Sequence, residues 1–146
     1  MPTKTKLSKG YNAVTPEILD WLREIVGDNN VQVDEDKVEA YSHDETNAEE
    51  FGHLPEVVVT PTTPEQISAI VKLANRENIP ITPRGAGSGL SGGAIPTFGG
   101  ILISVEKMNK VVEFDIDNMA ITVEAGMVTN DLAQMVQEKK LFFAGY

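Results

Sequence analysis

The 146-residue chain contains no cysteine, which excludes disulfides, thiolate nucleophiles and cysteine-ligated iron–sulfur clusters within it. Basic residues are scarce. Against 22 Asp and Glu stand only 12 Lys and Arg, leaving a net charge of −10 and a pI near 4.6. Nucleic acid and anionic membrane surfaces select for basic patches, so neither is expected as a partner. No uninterrupted apolar run approaches the roughly 18 residues of a membrane span. The N-terminal stretch from Met1 to Gly10 is basic but lacks the apolar core of a signal peptide. A soluble, cytoplasmic protein is the expectation, and no metal site is expected. What remains is ordinary for one globular domain with a real core: 41% hydrophobic and 23% charged residues.

Residues 1–14 read as a loose N-terminal arm, followed by a domain over 15–146. Thr15-Pro16-Glu17 opens a helix, with a Thr N-cap, proline at the first helical position and an acid near the positive helix end. Ile18, Leu22, Ile25 and Val26 recur at helical spacing, and Gly27 is placed to stop it. Asp34 to Tyr41 reads as a short helical turn, and Ser42 to Asn47 as a polar loop. Val57-Val58-Val59 is a short buried strand, and Thr63-Pro64-Glu65-Gln66 is a capping box before an apolar stripe of Ile67, Ile70, Val71 and Ala74. Ile79 to Thr82 is the next strand, which makes a βαβ unit with parallel strands and a right-handed crossover. Strands are then expected at Gly100–Ser104, Val111–Asp115 and Ala120–Val123, with a hairpin turn at Asp117-Asn118. Thr129 is expected to cap a last helix carrying Leu132, Met135 and Val136. The fold class is α+β.

The chemistry concentrates in Pro83-Arg84-Gly85-Ala86-Gly87-Ser88-Gly89-Leu90-Ser91-Gly92-Gly93-Ala94, which holds five of the 12 glycines. Glycine lets a ligand approach the backbone itself, and successive bare N–H groups form a concave nest for an anion such as phosphate. A kinase-type P-loop needs a lysine after its last glycine, and this loop has none. Gly87-Ser88-Gly89-Leu90-Ser91-Gly92 matches the dinucleotide G-x-G-x-x-G spacing, but that motif works where a strand turns directly into a helix. Here Gly93, Pro96, Gly99 and Gly100 break any helix, and a strand follows. Two readings stay open: a loop that grips pyrophosphate through its amides, at roughly 1.5–3 kcal/mol per charge-assisted bond, or a flexible connector between strands. His43 and Asp44 read as surface-loop residues without a catalytic role, and His53 beside Gly52 has less claim still.

The loop resembles the pyrophosphate loop of FAD-linked oxidases of the vanillyl-alcohol-oxidase type, in the branch of the glycolate oxidase subunit and D-lactate dehydrogenase. Other segments fit the same branch: Tyr41-Ser42-His43-Asp44, the Val57-to-Ala74 unit opening with Pro61-Thr62-Thr63-Pro64, Ile101 to Asn109, and Val123-Glu124-Ala125-Gly126. The resemblance covers about residues 17–146. It implies the first part of a PCMH-type FAD-binding domain: one βαβ unit followed by antiparallel strands and a helix. It also implies FAD bound by Arg84, Gly85, Ala86, Gly87, Ser88 and Gly89, with Leu90 and Ser91 close behind and the Ser88 hydroxyl adding a bond. For Arg84 a solvated strand-end charge is the other reading, and for Gly126 a plain turn rather than a place near the cofactor. With no cysteine, and neither histidine in the loop, the FAD is expected to be non-covalent.

The implied reaction is oxidation of a 2-hydroxy acid, of the glycolate or D-lactate type, to a 2-oxo acid. In the family, the flavin-ring pocket comes from the rest of the FAD domain, and the substrate carboxylate and base are handled by a later cap domain. The chain ends on the apolar Leu141-Phe142-Phe143-Ala144-Gly145-Tyr146 and reads as an N-terminal fragment, expected to be inactive alone and to self-associate through that end. No catalytic residue is assigned, and the electron acceptor is unknown. The alternatives are a non-catalytic module with a structural or simple phosphate-binding loop, and an FAD oxidoreductase of another substrate class.

Overall fold

The computed structural model describes residues 10–145. Most of the expected arm, residues 1–9, lies outside the described residues. Asn12 N–H donates to the Asn78 carbonyl at 3.0 Å, Asn12 Nδ2 to that of Glu77 at 2.8 Å, and Asn78 Nδ2 to that of Gly10. This part of the arm is therefore tied to the domain.

Helix α1 (Pro16–Val26) starts where the side chain of Thr15 accepts from Ile18 N–H, and stops at Gly27, whose φ of 87° no ordinary residue prefers. Strand β1 (Val31–Gln32) follows, then helix α2 (Glu35–Val38), a 3-10 turn at Glu39–Tyr41, and helix α3 (Ala48–Phe51). Strand β2 (Val57–Val59) leads into helix α4 (Pro64–Glu77). Thr63 caps α4 by accepting from Gln66 N–H at 3.3 Å, but the reciprocal bond is displaced by one residue. Gln66 Oε1 accepts from Thr62 N–H at 2.7 Å, not from Thr63. Strand β3 (Ile81–Arg84) starts two residues later than expected. Asn78 ends α4 in the left-handed region, and Ile79 N–H turns back to the Ala74 carbonyl at 2.9 Å, so Ile79 belongs to the helix stop.

Strand β4 (Ile101–Ser104) does not join the later antiparallel strands. It enters the first sheet between β2 and β3, parallel to both, in the order β1-β2-β4-β3. β1 pairs antiparallel on the outer side of β2. The antiparallel pair is β5 (Val111–Asp115) with β6 (Ala120–Val123), closed by a turn in which Asn118 N–H and Nδ2 bind the Asp115 carboxylate at 3.0 and 2.7 Å. Helix α5 (Thr129–Glu138) has Val128 as its N-cap, with no side-chain cap, so Thr129 is the first helical residue and not the cap.

Alternation in the strands assigns two cores. Val57, Val59, Ile101 and Ile103 face α1 and α4, packing with Leu22, Ile70 and Ala74. Val58 and Leu102 face the other way, against Val38, Leu54 and Tyr41. Val57, Val58, Val59, Ile101 and Leu102 are fully buried; each contributes about 1.5–3 kcal/mol by leaving water. On α4 the buried face is Ile70, Leu73 and Ala74, while Val71 is 37% exposed because a step of one residue turns it about 100° off that face. On α5, Leu132 and Val136 are buried and Met135 points outward. The second core also holds the chain from α2 through Leu54 against the sheet, beside the C-terminal ends of β3 and β4. That is where ligands collect in parallel sheets.

Candidate functional site

The glycine-rich segment leaves β3 at Arg84 and returns to β4 at Ile101 without forming a helix. Its free polar groups are unevenly distributed. Among the described residues, the seven backbone N–H groups from Gly85 to Ser91 donate to no protein acceptor. The run ends at Gly92, whose N–H goes to Asp44 Oδ2 at 2.9 Å. Gly87 sits at φ +73°, and a Cβ there would lie 2.2 Å from Arg84 Nη2. A side chain at position 87 therefore meets both backbone strain and the guanidinium beneath it.

Arg84 lies between the loop and segment 40–43, with its guanidinium under Gly87. Its guanidinium donates to the His43 carbonyl at 2.6 Å and the Ala40 carbonyl at 3.4 Å, and lies 5.7 Å from the centre of the Tyr41 ring. It is half-buried, not a solvated strand-end charge. Asp44, expected on the surface, is only 4% exposed. Its Oδ1 accepts from Thr46 N–H at 2.9 Å and Thr46 Oγ1 at 2.7 Å. These bonds, with the Gly92 N–H, hold its carboxyl below the usual carboxylate range despite burial.

A cleft of about 680 Å³ runs beside the loop, between Gly85, Ala86 and Ser88 on one side and residues 125–131 on the other. Among the described residues its charged lining is Glu106 and Asp131, with no Lys or Arg. The donors that line it are neutral: backbone N–H groups and the side chains of Ser88, Asn109, Thr129 and Asn130. Glu106 is held by Tyr41 Oη at 3.1 Å and Ser104 Oγ at 2.9 Å. Burial first, then the Glu106 charge and bond, raise the Tyr41 hydroxyl above its ordinary value. Gly126 lies in the far wall and packs on the backbone behind it: a Cβ there would lie 1.9 Å from the Val105 carbonyl oxygen, so the close approach demands glycine.

The expected site residues do not all face one space. Gly85, Ala86 and Ser88 line the cleft, whereas Leu90 and Ser91 line a separate depression of about 460 Å³ with Phe51, His53 and Ile95. Arg84, Gly87 and Gly89 line neither.

Residues 55–145 match the family of FAD binding domains. The chain belongs to that family. It is 40% identical to a D-lactate dehydrogenase of Anaerostipes hadrus over 134 residues, covering 91% of this chain and 28% of that relative. It is 32% identical to the glycolate oxidase subunit GlcD of Bacillus subtilis over 130 residues, covering 89% of this chain and 27% of that protein. Among solved structures, p-cresol methylhydroxylase with substrate bound superimposes with a TM-score of 0.80 at 30% identity, over 92% of this chain and 27% of the other. The chain thus spans little more than a quarter of the length of these proteins.

FAD is the cofactor of this FAD-binding domain, and the residues present fit it. A diphosphate needs several donors, and the run 85–91 supplies free amides in sequence, those of Gly85, Ala86 and Ser88 at the cleft. Residues 125–131 and Glu106 in the cleft wall were not legible as site residues, apart from Gly126. Nor was the buried Asp44, although its D-x-T spacing with Thr46 is the signature of a side chain capping its own turn.

Proposed function

We propose that this chain supplies the pyrophosphate-binding part of an FAD-dependent oxidoreductase that oxidises a 2-hydroxy acid, of the glycolate or D-lactate type, to the 2-oxo acid. The observation that carries the reading is the uninterrupted run of free backbone N–H groups from Gly85 to Ser91, which at Gly85, Ala86 and Ser88 lines a cleft with no cationic side chain among the described residues. Arg84 contributes its place at the strand end, Gly85 to Ser91 contribute amides, and the Ser88 hydroxyl adds a donor at the cleft edge. When bound, FAD supplies the two-electron acceptor for the hydroxy acid. The chain's own part is to fix the diphosphate and exclude water from one side of it.

The names of the sequence relatives, D-lactate dehydrogenase and glycolate oxidase subunit, support the hydroxy-acid class. A D-2-hydroxyglutarate dehydrogenase of Stutzerimonas stutzeri, 32% identical over 128 residues, lies within the same class. The FAD is non-covalent in this reading, since neither histidine lines the cleft. The 146-residue chain alone is expected to turn over no hydroxy acid. The test is the visible spectrum of the full-length protein, before and after adding FAD. Flavin bands that bleach anaerobically with glycolate or D-lactate support cofactor and substrate class together. A colourless protein indifferent to FAD sinks the reading. Flavin bands that neither acid bleaches leave the cofactor and overturn the substrate class.

A further inference from the structure

We propose that Asp44 is a positioning residue for the cofactor loop: its carboxylate takes the Gly92 N–H and holds residues 85–91 in the conformation that leaves their amides free. The inference rests on the FAD reading above and adds a determinant that lies outside the matched domain of residues 55–145.

Segment 40–46 grips the loop at three points, and all of them sit at or near the limits of the free run. At its start, the Arg84 guanidinium donates to the carbonyls of His43 and Ala40. Towards its end, Glu45 N–H donates to the Gly89 carbonyl at 3.1 Å. Immediately after it, Gly92 N–H donates to Asp44 Oδ2 at 2.9 Å. Asp44 is the one carboxylate among these ties, and it is buried without a cation on it: among the described residues its partners are Thr46 and Gly92. A buried carboxylate held only by N–H and O–H donors costs desolvation, which three good bonds offset.

The reason for such a tie follows from the loop's composition. Five glycines between residues 85 and 93 give the free segment a large conformational entropy, which ligand binding would otherwise have to remove. Pinning the start and the end beforehand leaves less ordering for the cofactor to impose. The tie also sets a boundary. By occupying the Gly92 amide, Asp44 keeps that donor from the ligand and separates the free run Gly85–Ser91 from the free amides of Gly93 and Ala94.

Asp44→Asn in the full-length protein separates this role from general stability. The variant amide keeps an oxygen for Thr46 but presents an NH2 to the Gly92 N–H. The FAD dissociation constant is expected to rise about tenfold or more. Amide hydrogen exchange at Gly92 should accelerate while that at Val58 and Leu102 stays unchanged. Thr46→Val, which removes one Asp44 bond but not the one to Gly92, should keep FAD affinity within about threefold. Should Asp44→Asn not fold, the wild type decides: the Gly92 amide proton resonance must follow the titration of the Asp44 carboxyl. FAD affinity within about twofold of wild type in Asp44→Asn, a still-protected Gly92 amide, or a Gly92 resonance that ignores the titration each overturns the proposal. A wild-type protein that takes up no FAD overturns the FAD reading itself, and the tie is then judged on Gly92 exchange alone.

Discussion

The β2–β4 pair and the glycine loop lie on the same sheet, yet they are held by opposite means. In β2 and β4 every side chain from Val57 to Val59 and from Ile101 to Ile103 is buried, and neighbours in sequence pack into two different cores. Residues 85–92 of the loop bury little, and their shape comes from polar bonds to a segment some 40 residues earlier in the chain. Burial is robust because it is spread over many contacts. A few directed bonds are easier to lose, and they leave the backbone N–H groups free for a ligand. The molecule places its buried strands and its free amides side by side.

The sharpest way to break the comparison is at the rigid end. Leu102→Ala removes a fully buried side chain from the second core, where Val38, Leu54 and Tyr41 pack beside the loop-gripping segment. A loss of about 2–5 kcal/mol in denaturant unfolding is expected, with the loop released as well. Gly126→Ala comes next. The methyl must displace the Val105 carbonyl, and overpacking of about 1–3 kcal/mol is expected, with a widened cleft and weaker FAD binding. Thr63→Ala, which removes the α4 cap, should cost about 1 kcal/mol in thermal unfolding and leave FAD affinity untouched.

A pH series sharpens the contrast further. The folded Asp44 carboxyl titrates below its ordinary 3.8 because Thr46, by hydroxyl and N–H, and Gly92 stabilise the charged form. Its contribution is therefore complete above the ordinary carboxylate range and is lost as pH falls through the lower, folded value. Gly92 exchange protection, corrected for intrinsic rates, should be flat from about pH 8 to 5 and fail only in acid. Asp115, lowered by its bonds to Asn118, should release the hairpin turn in the same acid window. The smallest effect is expected at the surface. Arg23→Ala breaks an exposed pair with Asp20 at 2.8 Å and should change stability by less than about 1 kcal/mol.

The same contrast explains what could be read from the chain. Helix α1, the Thr63 cap, β2 and the β5–β6 hairpin were legible because apolar spacing and capping residues act within a few positions of themselves. The loop's candidate role was legible from its glycines. The placement of β4 between β2 and β3 was not, because an apolar four-residue strand carries no mark of its neighbours. Asp44 was missed for a related reason. A polar residue in a polar run looks solvated until the fold brings a distant amide onto it.

The central claim is that the backbone N–H groups of Gly85 to Ser91 hold the FAD diphosphate. Amide hydrogen exchange of the full-length protein with and without FAD tests it most directly. The account predicts that saturating FAD slows exchange along Gly85–Ser91, while Gly92, already bonded to Asp44, changes little. FAD that binds tightly yet leaves the amides from Gly85 to Ser91 exchanging as fast as before would contradict it.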